Sequence, residues 1–292
     1  MNYVGRVIRP PSEAYSMIIQ VTVGCSHNKC TFCGAYAGRE FYIKDMNQIM
    51  QDIDEASSSG FNFKQAFLAD GDALILPTEK LLEIISYINL KSPSIKRIGV
   101  YANTKAILKK SLDELKELKD AGLGIAYQGI ESGNETILRK TKKGALPHKQ
   151  RECAEKIKSA NILLSQTVLL GIGGAEFSHE HAVDTGKHLG DMSPDYASAL
   201  TVMIRPNTEL YKEFLSGKFR LPDKFELLEE LKLIIENMDV KERCLFTSNH
   251  ASNYLPIRAV LPESKDEVVG LIDRIVSSRD SSVLMPENMR GL

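Results

Sequence analysis

The sequence predicts an α/β fold built on parallel strands, and two observations support this. Short runs rich in β-branched and aromatic residues alternate with longer amphipathic runs, and Gly, Pro, Asn or Asp punctuates the boundaries. Such alternation is typical of parallel sheets. No Ser/Gly-rich linker or block of like charge divides the 292 residues. We therefore expect one domain, and a full or partial β/α barrel fits better than two domains.

Seven runs have the composition of strands. They recur at intervals long enough for a helix to return the chain between parallel neighbours. The expected strands lie at residues 17–23, 64–69, 96–101, 123–129, 163–170, 196–203 and 243–248.

Amphipathic helices are expected in the intervals between these strands. Residues 46–53 and 81–88 carry apolar side chains at helical spacing. Another helix, around residues 178–190, contains His179, His181 and His188. For these histidines a solvated helix surface is favoured over a metal site.

Two helix starts have the spacing of a capping box, in which a Ser and a Glu three residues later satisfy each other's backbone amides. The first pair is Ser111 with Glu114, and Gly122 ends that helix. The second pair is Ser264 with Glu267. Both boxes precede apolar residues at helical spacing, which supports the alternation of strands and helices.

Charge and hydropathy argue against several classes of partner. The chain has 37 basic and 38 acidic residues and a formal net charge of −1, so it has no large basic field for nucleic acid or anionic membrane. No apolar run approaches the roughly 20 residues of a membrane helix. The first residues show no signal-peptide pattern. We expect a cytoplasmic protein.

Three of the five cysteines lie in one short segment. Cys25, Cys30 and Cys33 belong to the run VTVGCSHNKCTFCGAY, directly after the first expected strand, whereas Cys153 and Cys244 are isolated and fit small buried side chains. This distribution is not that of a disulfide framework. A [4Fe–4S] cluster needs four ligands, so three thiolates leave one iron open for chemistry.

A zinc site is the alternative interpretation of the same segment. His27 lies between the first two cysteines, so Cys25, His27, Cys30 and Cys33 have the composition of a Cys3His site. The rest of the chain weighs against zinc, because a structural zinc loop does not need polar and glycine-rich motifs after several strands.

Such motifs follow most of the expected strands. In a parallel barrel the carboxyl ends of the strands share one rim, where ligands bind, so we expect these residues to meet there. They are Asp70-Gly71-Asp72, Tyr101-Ala102-Asn103, Gln128 with Glu131, Gly171 with Gly173 and Gly174, and Arg205-Pro206-Asn207.

With this cysteine segment and these strand-end motifs, the chain resembles the radical S-adenosylmethionine (SAM) superfamily. The resemblance implies a partial (β/α)6 TIM-like barrel over residues 15–215, an N-terminal lead at 1–14 and a C-terminal extension at 216–292 that closes the barrel and contributes to the substrate site. It also implies an oxygen-sensitive enzyme in which SAM binds the open iron. An electron from a flavodoxin- or ferredoxin-type reductant cleaves SAM, and the resulting 5′-deoxyadenosyl radical abstracts hydrogen from a substrate.

The resemblance also implies roles for individual residues. Cys25, Cys30 and Cys33 match the cluster ligands, and Phe32 matches an aromatic residue beside the adenine. Glu131, in the run GIESG, matches a residue that accepts hydrogen bonds from the ribose. The other residues that we expect to contact SAM are Asp70, Gly71 and Asp72 near its ammonium group, Gly171 and Gly173 of the run VLLGIGG near the adenine, and Asn103 and Gln128.

The spacing of the cysteines departs from the superfamily pattern. Most members have three residues between the first two cysteines, whereas residues 26–29 supply four here. The motifs after the strands resemble those of oxygen-independent coproporphyrinogen oxidases, methylthiotransferases and the Elongator catalytic subunit. The longer gap removes no ligand, but it leaves the subfamily unassigned.

The substrate side is expected beyond the sixth strand, where the resemblance ends. The run RCLFTSNHASNYLP, at residues 243–256, is strongly polar, and a surface turn is the simpler interpretation. His250 and Tyr254 are the candidate catalytic residues, because turn chemistry requires neither, and His titrates near neutral pH. The candidate substrate-binding residues are Ser248, Asn249, Asn253 and Arg205.

Two hypotheses follow from the sequence. The leading one is a radical SAM enzyme with one [4Fe–4S] cluster and an unidentified substrate. The other is a zinc or iron–sulfur protein that binds a partner without catalysis.

Overall fold

The computed structural model describes residues 1–291 as two compact units. The first unit comprises Met1–Asn28, Gly38–Gln128 and Glu152–Leu164. The second comprises Lys29–Ala37, Gly129–Arg151 and the chain from Ser165 onward. The expected division into a lead, a barrel core and a closing extension stays a prediction.

Among the residues that the structure describes, ten strands form one large sheet and one small one. The large sheet has eight strands in the order β1-β4-β5-β6-β7-β8-β9-β10, and β2 pairs with β3. The strands are β1 (Met17–Gln20), β2 (Thr22–Val23), β3 (Tyr42–Ile43), β4 (Gln65–Ala69), β5 (Arg97–Tyr101), β6 (Leu123–Glu131), β7 (Leu163–Leu170), β8 (Tyr196–Thr201), β9 (Cys244–Thr247) and β10 (Arg258–Leu261).

The large sheet confirms the predicted α/β class and is open. In the first unit, β1, β4, β5 and β6 pair in parallel, with Met17 opposite Ala66. In the second unit, β7, β8 and β9 also pair in parallel, and β10 runs antiparallel to β9. All seven expected strands are present, the first divided into β1 and β2. The short strands β3 and β10 were not predicted, because two to four residues carry too little periodicity.

Residues 1–291 also form ten α-helices and three short 3-10 helices, the latter at Pro11–Glu13, Ala73–Ile75 and Glu287–Met289. The α-helices are α1 (Met46–Ser57), α2 (Thr78–Lys91), α3 (Thr104–Lys109), α4 (Leu112–Ala121), α5 (Glu135–Lys140), α6 (Pro147–Ser159), α7 (Ser178–Met192), α8 (Glu209–Leu215), α9 (Lys224–Glu236) and α10 (Lys265–Ser278).

One of the two predicted capping boxes forms. The Glu114 amide donates to Ser111 Oγ at 3.0 Å, the Ser111 amide donates to Glu114 Oε2 at 2.6 Å, and Gly122 ends α4 with φ of 127°. The box at Ser264 is wrong. Its φ and ψ of −95° and 9° are not the extended values of a capping residue, and its side chain makes no capping hydrogen bond.

The expected helix around residues 178–190 is present as α7, but its histidines do not form a solvated surface. His181 and His188 are 0% and 3% exposed, and only His179 lies outside. α7 packs on α9 so closely that a β-carbon on Gly186 would stand 2.5 Å from the Ile234 carbonyl oxygen. Polar side chains occupy the buried face of α7, where apolar periodicity cannot reveal burial.

Within residues 1–291, no helix has both the length and the apolar composition needed to cross a membrane.

Candidate active site

In the first unit, the turn after β4 lies against the beginning of the cysteine segment. A β-carbon on Gly71 would stand 2.7 Å from the Cys25 β-carbon and 2.7 Å from the Gly24 carbonyl oxygen. The Gly24 oxygen is a backbone atom, and the backbone of Cys25 fixes the position of its β-carbon. Neither atom can turn aside, so only glycine fits at position 71.

Asp70, at the start of this turn, has one carboxylate oxygen that is buried and available. Its Oδ2 accepts hydrogen bonds at 3.1 Å from Gln20 Nε2 and from the Gly24 amide. Its Oδ1 is buried and has no hydrogen-bond partner among residues 1–291. A buried carboxylate oxygen left unpaired is costly, and it is a ready acceptor for a cationic or N–H-bearing ligand.

Both carboxylate oxygens of Asp72 are already bonded within the protein. Ser26 Oγ donates to Oδ2 at 2.5 Å, and Asn103 donates through Nδ2 to Oδ2 at 2.6 Å and through its amide to Oδ1 at 3.2 Å. Burial raises the Asp72 pKa to about 6, and these hydrogen bonds oppose the rise. Asp72 therefore ties the residue beside Cys25 to the end of β5.

Two further residues predicted to contact SAM make structural contacts in the first unit. Asn103 Oδ1 accepts the Ala106 amide at 2.8 Å and so caps α3. Gln128 is buried, and its Nε2 donates to Thr104 Oγ1 at 3.2 Å.

In the second unit, Cys30 and Cys33 lie in a turn that backbone hydrogen bonds hold in place. The Cys33 amide donates to the Cys30 carbonyl at 3.2 Å. Thr31, between them, donates its amide to the Thr141 carbonyl at 3.0 Å and accepts the Leu210 amide at 2.9 Å. Phe32 packs against a buried apolar cluster formed by Ile137, Ile172, Val202, Leu210 and Phe219.

The cysteines of the two groups differ in accessibility. Cys25, Cys30 and Cys33 are partly exposed and form no disulfide. Cys153 and Cys244 are buried, as predicted. Burial raises the pKa of the Cys153 thiol to about 12, so this side chain stays a protonated thiol and is a poor metal ligand.

Glu131 ends β6 in a conformation that non-glycine residues rarely adopt. Its φ is 65°, and its Oε1 accepts a 2.7 Å hydrogen bond from Lys143 Nζ. A β-carbon on Gly129 would stand 2.5 Å from the same oxygen. Left-handed backbone at a non-glycine residue is typical of functional turns. No local pattern indicates Lys143 as the partner of Glu131, because the two residues are 12 positions apart.

The glycine turn after β7 is held by a carboxylate from α9. Gly171 has φ of 77°, and its amide donates to Glu230 Oε1 at 2.6 Å. A β-carbon on Gly173 would stand 3.0 Å from Ile137 Cδ1 and 3.1 Å from the Phe177 carbonyl oxygen. Burial raises the Glu230 pKa to about 7.

A family model described as the radical SAM superfamily matches residues 19–188, more than half of the chain. The chain belongs to the radical SAM superfamily. It is therefore an enzyme, and its cofactors are a [4Fe–4S] cluster and SAM. Radical SAM enzymes take electrons from an external reductant. The predicted superfamily, enzyme class and cofactors are confirmed.

Individual relatives extend the comparison. The chain is 24% identical over 186 residues to the heme chaperone HemW of Bacillus subtilis. The aligned region covers 61% of this chain and 47% of HemW. It thus spans about half the length of that curated relative. Methylornithine synthase PylB aligns with a TM-score of 0.56 at 15% identity, covering 78% of this chain and 63% of PylB. Elp3 of Methanocaldococcus infernus aligns with a TM-score of 0.52 at 13% identity, covering 79% of this chain and 58% of Elp3. Both structures share the fold.

The residues of this radical SAM protein fit the cofactors of its superfamily. Three partly exposed thiols supply soft ligands. Asp70 Oδ1, which has no hydrogen-bond partner among residues 1–291, supplies an acceptor. Because Gly71 has no side chain, its backbone lies close beside Cys25. Within residues 1–291, no three Cys, His, Asp or Glu side chains are gathered to hold one metal ion, and this applies to an iron–sulfur cluster and to zinc alike.

The candidate substrate residues fall into a buried and an accessible set. Ser248 and Asn253 are 1% and 4% exposed. Asn253 Nδ2 donates to the Ala199 and Ser248 carbonyls at 2.7 and 2.8 Å, and its Oδ1 accepts from Thr201 Oγ1 at 2.9 Å. These two residues build the loop after β9.

The other members of this set are more accessible. Asn249 is exposed, and His250, Tyr254 and Arg205 are partly exposed. His250 Nδ1 lies 2.9 Å from Ser252 Oγ, and burial lowers the His250 pKa, so its ring is neutral at pH 7. Tyr254 hydrogen bonds to Glu287, and the Arg290 guanidinium stacks 3.8 Å from its ring centre.

Proposed function

We propose that the protein cleaves SAM reductively and directs the 5′-deoxyadenosyl radical to abstract hydrogen from a substrate bound beside the carboxyl ends of the strands. The cluster and SAM supply the electron-transfer and radical chemistry when bound. The residues of the chain bind these groups, orient them and exclude water.

The observation that carries the proposal is the contact of Gly71 with Cys25, with Asp70 beside it. Backbone approaches Cys25 where a side chain on residue 71 would block it. The free Oδ1 of Asp70 is a buried acceptor in the same turn. We assign this oxygen to the ammonium group of SAM. Gly71 allows close approach, and Asp72 holds the turn through Ser26 and Asn103.

The proposal also assigns roles to residues of the second unit. Cys30 and Cys33 are proposed cluster ligands, and Phe32 is proposed to stack beside the adenine. Glu131, which Lys143 holds in place, accepts hydrogen bonds from the ribose hydroxyl groups. The backbone at Gly171 and Gly173 approaches the adenine, with Gln128 and Asn103 as further contributors.

The loop after β9 is the proposed substrate side. Its accessible residues Asn249, His250 and Tyr254, with Arg205, contact substrate, and neutral His250 is able to accept or donate a proton. Ser248 and Asn253 contribute by shaping the loop. We further propose that the enzyme works in the cytoplasm, is oxygen-sensitive and is reduced by a flavodoxin- or ferredoxin-type protein.

Anaerobic reconstitution tests the proposal. The full chain is loaded with iron and sulfide, supplied with SAM and dithionite, and assayed for 5′-deoxyadenosine by liquid chromatography and mass spectrometry. We expect this product from the wild type and from Cys153→Ala, whose thiol is buried against the Thr104 carbonyl, but not from Cys30→Ala. A fully loaded wild-type protein that releases no 5′-deoxyadenosine sinks the proposal.

A further inference from the structure

The second unit contains a connected cluster of buried polar side chains that the proposed function leaves unexplained. Buried polar groups persist where they satisfy one another's hydrogen bonds. Four members are at most 1% exposed, and Ser178 joins them at the edge. The members are Ser132, Ser178, His181, Thr185 and Glu230.

One end of this polar cluster fixes the turn after β7. Glu230 projects from α9, and its Oε1 accepts the Gly171 amide at 2.6 Å. Its Oε2 accepts the Ser178 hydroxyl at the start of α7. Both oxygens are thus committed to groups that begin and end the segment 171–178. A desolvated carboxylate has no competing water, so these two bonds fix the segment firmly.

The other end fixes the turn after β6. His181 Nδ1 lies 2.8 Å from Ser132 Oγ and 3.2 Å from Thr185 Oγ1. The same hydroxyl oxygens accept backbone amides, Ser132 Oγ from Asn134 at 3.0 Å and Thr185 Oγ1 from Gly133 at 2.9 Å. The chain immediately after Glu131 is therefore held by side chains that His181 orients.

His181 and Glu230 join the two ends. Both hydroxyl groups lie within hydrogen-bond distance of His181 Nδ1, and the ring tautomer decides which atom donates. On the other side of the ring, His181 Nε2 lies 3.5 Å from Glu230 Oε1 and makes no hydrogen bond among residues 1–291. The side chains that hold the turns after β6 and β7 thus meet at a buried contact between His181 and Glu230.

We propose that His181 and Glu230 are positioning residues that hold the turns after Glu131 and at Gly171 in one fixed arrangement for SAM. This inference rests on the proposed function, in which these turns receive the ribose and the adenine. Neither residue touches the cofactor. Each acts through the backbone that it holds, as outer partners do around many functional sites.

SAM affinity of the reconstituted full chain provides the first test, measured by equilibrium dialysis with labelled SAM. Glu230→Leu leaves the Gly171 amide and the Ser178 hydroxyl without their acceptor, and we expect the dissociation constant to rise about tenfold. Glu230→Gln keeps an acceptor for Gly171, and we expect a rise of less than about threefold. Leu231→Ala, the adjacent buried residue of α9, controls for general loss of stability.

Hydrogen exchange of the cluster-free chain gives a readout that is independent of SAM. Glu230→Leu should speed amide exchange at residues 171–174 and 132–134. In Leu231→Ala, exchange at these two segments should rise no more than in the rest of the chain. If the wild type binds no SAM, the proposed function fails, and exchange alone decides the positioning role. Unchanged exchange at both turns in Glu230→Leu, or equal loss of SAM affinity in Leu231→Ala, overturns the inference.

A double-mutant cycle tests the link itself. Ser132→Ala and Glu230→Leu act at opposite ends of the polar cluster. Because His181 joins these ends, the combined rise in the SAM dissociation constant should fall short of the product of the single rises by at least about threefold. A combined rise equal to that product shows two independent turns and overturns the role of His181 as their connection.

Discussion

Gly71 and Cys25 approach so closely that residue 71 has no room for a side chain. A β-carbon there would lie 2.7 Å from the Cys25 β-carbon, well inside the 3.0 Å that real β-carbons respect. The turn after β4 therefore contacts the cysteine segment through a glycine, and any bulk at this point displaces one or the other.

Gly71→Ala should consequently disturb the cluster loop more than the fold. Overpacking of this kind costs about 1–3 kcal/mol, and the atoms that must move belong to Gly24 and Cys25. We expect SAM cleavage to fall at least about tenfold, with lower iron and sulfide per chain after reconstitution. Iron and sulfide assays with 5′-deoxyadenosine release provide the measurement.

Gly270→Ala is the matched control for this substitution. Gly270 lies within α10, where an added β-carbon would meet the flexible end of Arg274 at an ordinary contact distance of 3.5 Å. Alanine in a helix interior is favoured over glycine by about 0.5–1 kcal/mol, so this variant should be slightly more stable, with unchanged iron content. Equal iron content and activity in both variants would contradict the expected constraint at Gly71.

Asp70→Asn tests the buried acceptor. The amide oxygen is able to keep the bonds from Gln20 and Gly24, so the fold should persist while the negative charge is lost. Charge-assisted hydrogen bonds are about twice as strong as neutral ones, and we expect SAM affinity to fall about tenfold in equilibrium dialysis.

A second buried carboxylate of the first unit supplies the comparison for Asp70. Asp52 pairs with Lys44 at 2.7 Å, with both side chains almost fully buried. Asp52→Asn should lower the melting temperature and leave SAM affinity unchanged. If Asp70→Asn binds SAM as tightly as the wild type, Asp70 Oδ1 is not the acceptor for the ammonium group.

Lys143→Met tests the support of Glu131. The two side chains are 16% and 13% exposed and lie 2.7 Å apart, so removing the cation leaves a largely buried carboxylate without its partner. We expect SAM affinity to fall about three- to tenfold and stability to drop by about 1–3 kcal/mol.

The adjacent Lys142 provides a matched control for Lys143. Its ion pair with Glu209 is more than half exposed on both sides, and exposed pairs contribute at most about 1 kcal/mol. Lys142→Met should therefore leave SAM affinity and urea unfolding nearly unchanged. Equal effects of the two substitutions would show that net charge, rather than the Glu131 contact, is responsible.

The sequence predicted the features that local pattern controls. Alternation of strands and helices placed Asp70, Glu131 and Gly171 at or directly after the carboxyl ends of strands, because parallel topology follows from the connections. Capping at Ser111 was predictable, since its geometry lies within four residues.

Long-range partners escaped prediction for a physical reason. Glu230 meets Gly171 from 59 residues away, and Lys143 reaches Glu131 from the next segment. Neither contact leaves a local periodicity. Ser264 has the composition of a cap, but its backbone is not extended, and its amide donates to the Val260 carbonyl at 2.8 Å instead of to Glu267.

Glu230→Gln is expected to change the pH dependence of stability in a defined direction. Burial raises the Glu230 pKa from 4.5 to about 7, so between these values the folded chain holds a proton that the unfolded chain has lost. Its contribution to stability is complete below pH 4.5 and is lost as pH rises through 7, an effect of about 3 kcal/mol. Glutamine does not titrate, so the unfolding free energy of Glu230→Gln should not show this decline between pH 4.5 and pH 7.

His181 acts in the opposite direction within the same window. Burial lowers the His181 pKa from 6.5 to about 4. Between these pH values the unfolded chain binds a proton that the folded chain does not bind, so stability rises with pH from 4 to 6.5. The two effects largely cancel in the wild type over this range. In Glu230→Gln only the histidine effect remains, so stability should climb from pH 5 to pH 6.5 in urea unfolding of the cluster-free chain. His181→Asn should show the reverse, a decline toward pH 7. Parallel pH profiles for the wild type and Glu230→Gln would show that Glu230 titrates at the same pH in the folded and unfolded chains.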